Sequence, residues 1–415
     1  MVIGRFVGKE AMAAVGSNST IIGILVNLFI GLSLGTNVVI AQYTGSGDKE
    51  KVSKAVHTSV LVALISGIFV TVFGELIANP LLHLMDVPEN VFPMAILYLR
   101  IYLLGMPVIL LYNFGSSIYR SRGDTKTPLI CLVVSGVINV CLNLFFVLAC
   151  HMTVDGVALA TVIANAVSSG LMFFFLLRSK SDIKVRFHCL RISKDALKRI
   201  MQIGIPSGIQ GMVFSLSNIL IQSAINSLGS DVMAGSSAAF NVEIMAYYVV
   251  NSFGQAAATF VSQNYGYGDM DRCKRASVLA LLQDEVAGNI VVFTIIAFAP
   301  QIIALFNADQ VVIMYGAIRL RYLLSAYCVD VLIEVFSGVM RAYGYSLFPA
   351  LATLFGVCGV RIVWVWTVFR AAPSFQRLMV IYPISWIVTA ILLVVVYYWK
   401  VRSKVFKANR EEFSR

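Results

Sequence analysis

Long apolar stretches alternate with short polar ones along the whole chain. Asp, Glu, Lys and Arg are absent from 11–47, 127–154, 200–230, 244–268, 286–308 and 378–399. The hydrocarbon core of a bilayer takes about 20 apolar residues of helix, and each stretch is at least that long. The pattern predicts helices over 15–43, 55–78, 95–119, 128–149, 155–177, 200–226, 233–264, 276–299, 317–340, 348–369 and 378–399, which makes eleven full spans. The fold class expected is an all-α polytopic membrane protein.

The same pattern occurs twice. Gln42-Tyr43-Thr44-Gly45-Ser46-Gly47-Asp48 returns as Gln263-Asn264-Tyr265-Gly266-Tyr267-Gly268-Asp269, 221 residues later (263 − 42). Arg120-Ser121-Arg122-Gly123 with Pro128 returns as Arg341-Ala342-Tyr343-Gly344 with Pro349 at that offset. Leu99-Arg100 and Leu320-Arg321 share it, as do Gly8-Lys9-Glu10 and Gly229-Ser230-Asp231. Four matches at one offset point to a duplicated half. Residue 1 then pairs with Gln222, near the end of helix 200–226. The partner of 197–221 falls before Met1, so the chain is expected to lack most of a first helix and to keep the stub Met1-Val2-Ile3-Gly4. Four regions follow: an N-terminal lobe over 1–177, a basic linker over 178–199, a C-terminal lobe over 200–399 and a basic tail over 400–415.

Composition agrees with lipid rather than water. Hydrophobic residues make up 59% and charged ones 13%, against roughly 25% charged in soluble domains. The net charge of +11 could suggest nucleic acid, but its placement argues for topology. With the linker on the cytoplasmic side, 24 of the 32 Lys and Arg share that side, in 49–54, 120–126, 178–199, 272–275, Arg341 and 400–415. Arg5, Lys9, Arg370 and Arg377 lie opposite, while Arg100, Arg319, Arg321 and Arg361 fall in or beside helices. That is the positive-inside pattern. Both Gly-Asp loops lie on the basic side, so the two halves are parallel repeats.

Seven cysteines (131, 141, 150, 189, 273, 328 and 358) and four histidines (57, 83, 151 and 188) are scattered without metal-ligand spacing. A membrane-embedded enzyme would need clustered ligands or nucleophiles, so the chain reads as a non-enzyme without cofactor or resident metal. The loops Gly45–Lys54 and Gly266–Arg275 have a phosphate-loop composition but lack the preceding strand and Walker spacing.

Several stretches resemble the multidrug and toxic compound extrusion (MATE) family. They are Val2-Ile3-Gly4-Arg5-Phe6-Val7-Gly8-Lys9-Glu10-Ala11 with Ala13-Ala14-Val15-Gly16, then Ala41-Gln42-Tyr43, Arg122-Gly123-Asp124-Thr125-Lys126-Thr127-Pro128, Gly156-Val157-Ala158-Leu159-Ala160-Thr161, Gly204-Ile205-Pro206 and Ser262-Gln263-Asn264-Tyr265-Gly266. The resemblance covers essentially the whole chain. It implies twelve helices in two six-helix lobes, here eleven plus the stub, in the bacterial inner membrane. It also implies export of amphiphilic and cationic drugs against H⁺ or Na⁺ influx, with the lipid bilayer, the drugs and the ion as partners, no nucleic acid, and a monomer. A flippase for lipid-linked oligosaccharides is the alternative. It would call for a basic cavity, for which Arg361 is the main residue.

The residues themselves offer several sites. Asp330 and Glu334 are four apart, on one helical face. Carboxylates so deep in lipid serve a protonatable or Na⁺-binding function, or else pair with Arg341 or sit at a lip. Asp330 precedes Arg341 by eleven residues, the spacing of a cation-site Asp in sodium-coupled members of the family. A transient Na⁺ at Asp330 is the one metal interaction expected. Glu243 with Tyr247 one turn on suits a lipophilic cation through charge and cation–π attraction, or Glu243 faces periplasmic water. Asn218, Gln222 and Asn226 form a polar stripe that either faces a cavity or joins helices. By the resemblance, Asn139, Asn143 and Thr161 occupy the positions of a first-lobe proton set. Asn143 replaces its carboxylate there, and an amide cannot titrate, so the coupling residue is expected in the second half. Asp284 and Glu285 read as structural or as lining a cytoplasmic vestibule.

Overall fold

The computed structural model describes residues 9–85 and 87–402. The stub Met1–Gly4, Arg5 and the tail beyond 402 lie outside the described residues. The first half holds α1 (Lys9–Gly45), α2 (Lys49–Leu84), α3 (Phe92–Leu104), α4 (Met106–Arg120), α5 (Lys126–Ala149) and α6 (Val154–Arg178). There follow α7 (Lys194–Asn226), α8 (Ser230–Tyr267), α9 (Met270–Ala297), the short α10 (Ala299–Ala304), α11 (Gln310–Leu324), α12 (Tyr327–Ala342), α13 (Leu347–Phe369) and α14 (Phe375–Trp399).

Eight of these helices are long and apolar enough to cross a membrane, and ten spans result when each bent pair counts as one. The pairs are α3 with α4, bent by 47°, and α11 with α12, bent by 50°. The sequence pattern predicts one helix in each place. A bend leaves the apolar period on either side intact, so the pattern cannot show it. The remaining expected span, α8, is 38 residues long but falls below the hydropathy of the others. It carries Asn241, Glu243, Asn251 and Gln255 through an otherwise apolar run.

The repeat is visible in the backbone. Asp48 caps α2 by accepting the Lys51 N–H, and Asp269 caps α9 by accepting the Arg272 N–H. A side-chain cap of this kind satisfies one of the orphan donors of a helix start. Gly47 and Gly268 before them have φ of +72° and +90°, a conformation that glycine takes without strain. The breaks fall at Gly105 and at Ser325–Ala326, again about 221 residues apart.

Two compact units divide the chain, 1–208 and 209–415. The division falls within α7 because its first part packs on α1. Gly31 and Gly35 face Gly204 and Gly208, and a Cβ at Gly35 would sit 2.5 Å from the Ile200 carbonyl oxygen. Paired small-xxx-small stripes let helix backbones approach this closely. In the first unit α4 packs against α1, α2 and α6, while α5 pairs with α6. In the second unit α8 is central, flanked by α9, α11 and α12. The outer faces are bare hydrocarbon, such as Val286, Ile290 and Phe293 on α9 and Leu129, Val133 and Val137 on α5. Side chains of that kind suit acyl chains and not water.

Candidate functional site

The polar interior of the second unit gathers on α8, α9 and α12. The bend before α12 puts Asp330 in its first turn, at the middle of the broken span, where its side chain is buried. No hydrogen bond reaches the Asp330 carboxylate from the described residues. Glu334 follows one turn later, and its carboxylate accepts the Asn251 amide at 3.2 Å. The same amide reaches the Tyr247 hydroxyl at 3.3 Å, and Gln255 donates to the Asn251 carbonyl oxygen at 2.6 Å. Tyr247, Asn251 and Gln255 thus form a ladder along one face of α8 that holds Glu334 in place. Gly254 makes room for it: a Cβ there would stand 3.1 Å from the Glu334 carbonyl oxygen.

Three arginines surround this centre. Arg341, at the other end of α12, acts electrostatically on Glu334 and donates to Gln210 at 3.2 Å. Gln210 in turn donates to Thr353 at 3.0 Å. Arg319 forms an ion pair with Glu243 at 2.9 Å and donates to the Ser236 hydroxyl at 2.6 Å. Both partners are shielded, with side-chain exposures of 4% and 15%. Arg361 is completely buried on the one α-wound turn, Val360–Trp364, between two π-wound stretches of α13. It donates to Asn218 at 2.9 Å, to Ser385 at 3.3 Å and to Ser217 at 3.4 Å. Its Nη2 has no partner among the described residues. The Tyr382 ring centroid lies 4.5 Å from the Arg361 guanidinium carbon and 5.6 Å from that of Arg319. Arg361 and Asp330 are close enough to act on each other, along with Glu334, Asp284 and Glu243.

The structure therefore brings together Asp330, Glu334 and Tyr247. Glu243 joins them electrostatically, but its charge is balanced by Arg319. Asn218 serves as an acceptor for Arg361, whereas Gln222 donates to Asn226 on its own helix at 2.8 Å. The three first-half residues also meet each other. Asn143 donates to Asn139 at 2.8 and 3.0 Å, and Asn139 reaches the Thr161 hydroxyl at 3.5 Å.

Sequence reasoning passed over Arg319, Asn251 and Gln255. The i, i+4, i+8 spacing of Tyr247, Asn251 and Gln255 was a usable signal. The partnership of Arg319 with Glu243, 76 positions away, leaves none.

The family model described as MatE matches residues 1–145 and 206–367. The chain belongs to the MatE family. Among its relatives, "Probable multidrug resistance protein YoeA" of Bacillus subtilis is 28% identical over 369 residues, which is 87% of this chain and 80% of that one. The "FAD transporter" of Shewanella oneidensis is 22% identical over 81% of this chain and 75% of its own. A solved structure described as the outward-facing conformation of a multidrug resistance MATE family transporter superposes with a TM-score of 0.88 at 22% identity. It covers 99% of this chain and 91% of the other. The fold is thus the two-lobed all-helical fold of MatE transporters, and the chain is a multi-pass membrane protein.

Proposed function

We propose that the protein is a multidrug exporter that moves amphiphilic and cationic drugs in exchange for H⁺ or Na⁺ by alternating access. Asp330 carries this reading: a buried carboxylate at the break of a span, without a hydrogen bond from the described residues. A charge in that position is costly unless an ion or a cargo uses it. Glu334, held by Asn251, is the second negative group of the site, and Tyr247 offers an aromatic face to a cation. Coupling needs ion and drug to bind the inward-open and outward-open states with different affinity. A carboxylate that either of them can neutralise meets that need. The names of the relatives support drug export as the task.

Dye efflux from energised proteoliposomes under separate H⁺ and Na⁺ gradients tests the reading. Asp330→Asn is isosteric and removes only the ionised state, so gradient-driven efflux is expected to fall about tenfold or more while the protein stays folded. Wild-type efflux by Asp330→Asn under both gradients would sink the assignment.

The unpartnered Nη2 of buried Arg361 favours a second reading, in which the cargo is an anionic amphiphile, as in a flavin transporter or a lipid-linked sugar flippase. Competition of dye efflux by flavin nucleotides, lost in Arg361→Gln, would support it. No competition by any anion would remove it.

A further inference from the structure

The segment that joins α6 to α7, residues 179–193, carries charge that the interior site does not use. Ile183 and Val185 are buried along it, while Lys184 and Arg186 are exposed. An extended stretch with period two turns one row of side chains to the protein and the other outward. The outward row is cationic. Hydrogen bonds fix this segment on the first unit. His57 of α2, itself buried, accepts the Arg186 N–H on Nε2 at 2.9 Å, and its Nδ1 lies 2.7 Å from the Ser53 carbonyl oxygen. The Thr58 hydroxyl accepts the Ser193 N–H at 3.0 Å, and the Leu176 carbonyl oxygen accepts the Val185 N–H at 3.2 Å. Three points thus hold the segment to α2 and α6.

Beside its cations this rim presents a bare aromatic ring. Phe187, in the short turn Phe187–Cys189, is 66% exposed, and its ring meets that of Phe173 edge-on with centroids 6.0 Å apart. Phe173 belongs to the last turns of α6. On the same helix Ile163 and Phe174, eleven residues apart, are exposed on one face. Arg178 lays its guanidinium over the Phe174 ring, 4.6 Å from the centroid. An arginine so placed at the end of a span keeps its charge among headgroups and its stem against hydrocarbon. Arg186 adjoins Phe187 in the chain, so both cations and ring stand where α6 leaves the bilayer. The one acidic residue of the segment, Asp182, is taken up by Arg122 at 3.9 Å.

We propose that this rim binds an anionic phospholipid. Its headgroup phosphate lies against Arg178, Lys184 and Arg186, and Phe187 enters the layer of upper acyl chain beside it. Cations alone would hold any soluble anion, but an exposed phenyl ring next to them calls for hydrocarbon as well. Lys and Arg clustered just outside a span attract anionic lipid over about a Debye length. Because the backbone is already fixed, binding costs little ordering of the segment. The inference depends on α6 crossing the bilayer and not on what is transported, so it stands or falls apart from the antiport reading.

Phe187→Trp in the full chain, reconstituted in lipid nanodiscs, tests the proposal. Subtracting the emission of wild type, with its four native tryptophans, leaves the signal of position 187. Phosphatidylglycerol brominated in the upper acyl chain should quench that signal at least about twofold more than the same amount of equally brominated phosphatidylcholine. Adding Arg178→Gln/Lys184→Gln/Arg186→Gln should make the two lipids quench alike, with unchanged melting because all three side chains are exposed. Inorganic phosphate, compared with chloride at equal ionic strength, should leave the preference in place. No quenching by either lipid means that position 187 does not meet the bilayer, and the proposal fails. Equal quenching in Phe187→Trp overturns it too, as does a preference that survives the three Gln changes. Loss of the preference to inorganic phosphate would show that the cations take a soluble anion and would overturn the lipid assignment.

Discussion

The two halves of the molecule share a backbone and differ in what they bury. The caps at Asp48 and Asp269, the glycines before them and the two bent spans repeat at one offset. Yet among the described residues the first unit buries no charged side chain, while the second buries Asp284, Arg319, Asp330, Arg341 and Arg361. Subtracting 221 shows how local the change is. Asp330 answers to Ile109, Asp284 to Ala63, Arg319 to Tyr98 and Arg361 to Val140, while Arg341 keeps its counterpart Arg120. Duplication thus supplied one helical frame twice. Point changes at interior positions put charged side chains into one copy and left amides and hydroxyls in the other. Turn and cap residues are tied to backbone geometry, so they recur. Interior positions are not tied to the turns, and here they diverge.

The largest effect expected from breaking this asymmetry is at the buried ion pair. Arg319→Leu leaves Glu243 without its partner, and removing one member of such a pair costs about 3–5 kcal/mol. Melting of the purified protein should show a large loss of stability, with Arg319→Leu/Glu243→Leu recovering much of it. A variant Arg319→Leu as stable as wild type would mean that the pair carries no weight. At the other end stands the first unit. Asn143→Ala removes hydrogen bonds to Asn139 that are each worth about 1 kcal/mol. Gradient-driven efflux should stay within about twofold of wild type, since no titratable group is lost. A collapse of coupling in Asn143→Ala would return the ion chemistry to the first half.

Most of the frame was legible because lipid imposes it. Span length, charge asymmetry and turn glycines are written in contiguous residues, and they yield the helices and the repeat. The bends at Gly105 and Ser325–Ala326 were not legible, since neither interrupts the apolar pattern. The site was legible in part. Asp330 and Glu334 stand out as carboxylates inside an apolar helix, and Asn143 shows what the first half lacks. Asp284, some ten residues past the basic cluster Arg272–Arg275, reads from the sequence as structural or as lining a cytoplasmic vestibule. The helix expected over 276–299 begins at Met270, and Asp284 is buried at its middle. The partners of Glu243 and Asn218 come from distant segments, Arg319 and Arg361, and no local pattern announces them.

The central claim is that ion coupling belongs to the second half alone, and counting ions tests it most directly. Protons or Na⁺ released on drug binding would be measured on purified wild type, Asp330→Asn and the double variant Asn139→Ala/Asn143→Ala. The account predicts wild-type ion release in the double variant and its loss in Asp330→Asn. Loss of release in the double variant, with normal release in Asp330→Asn, would contradict it.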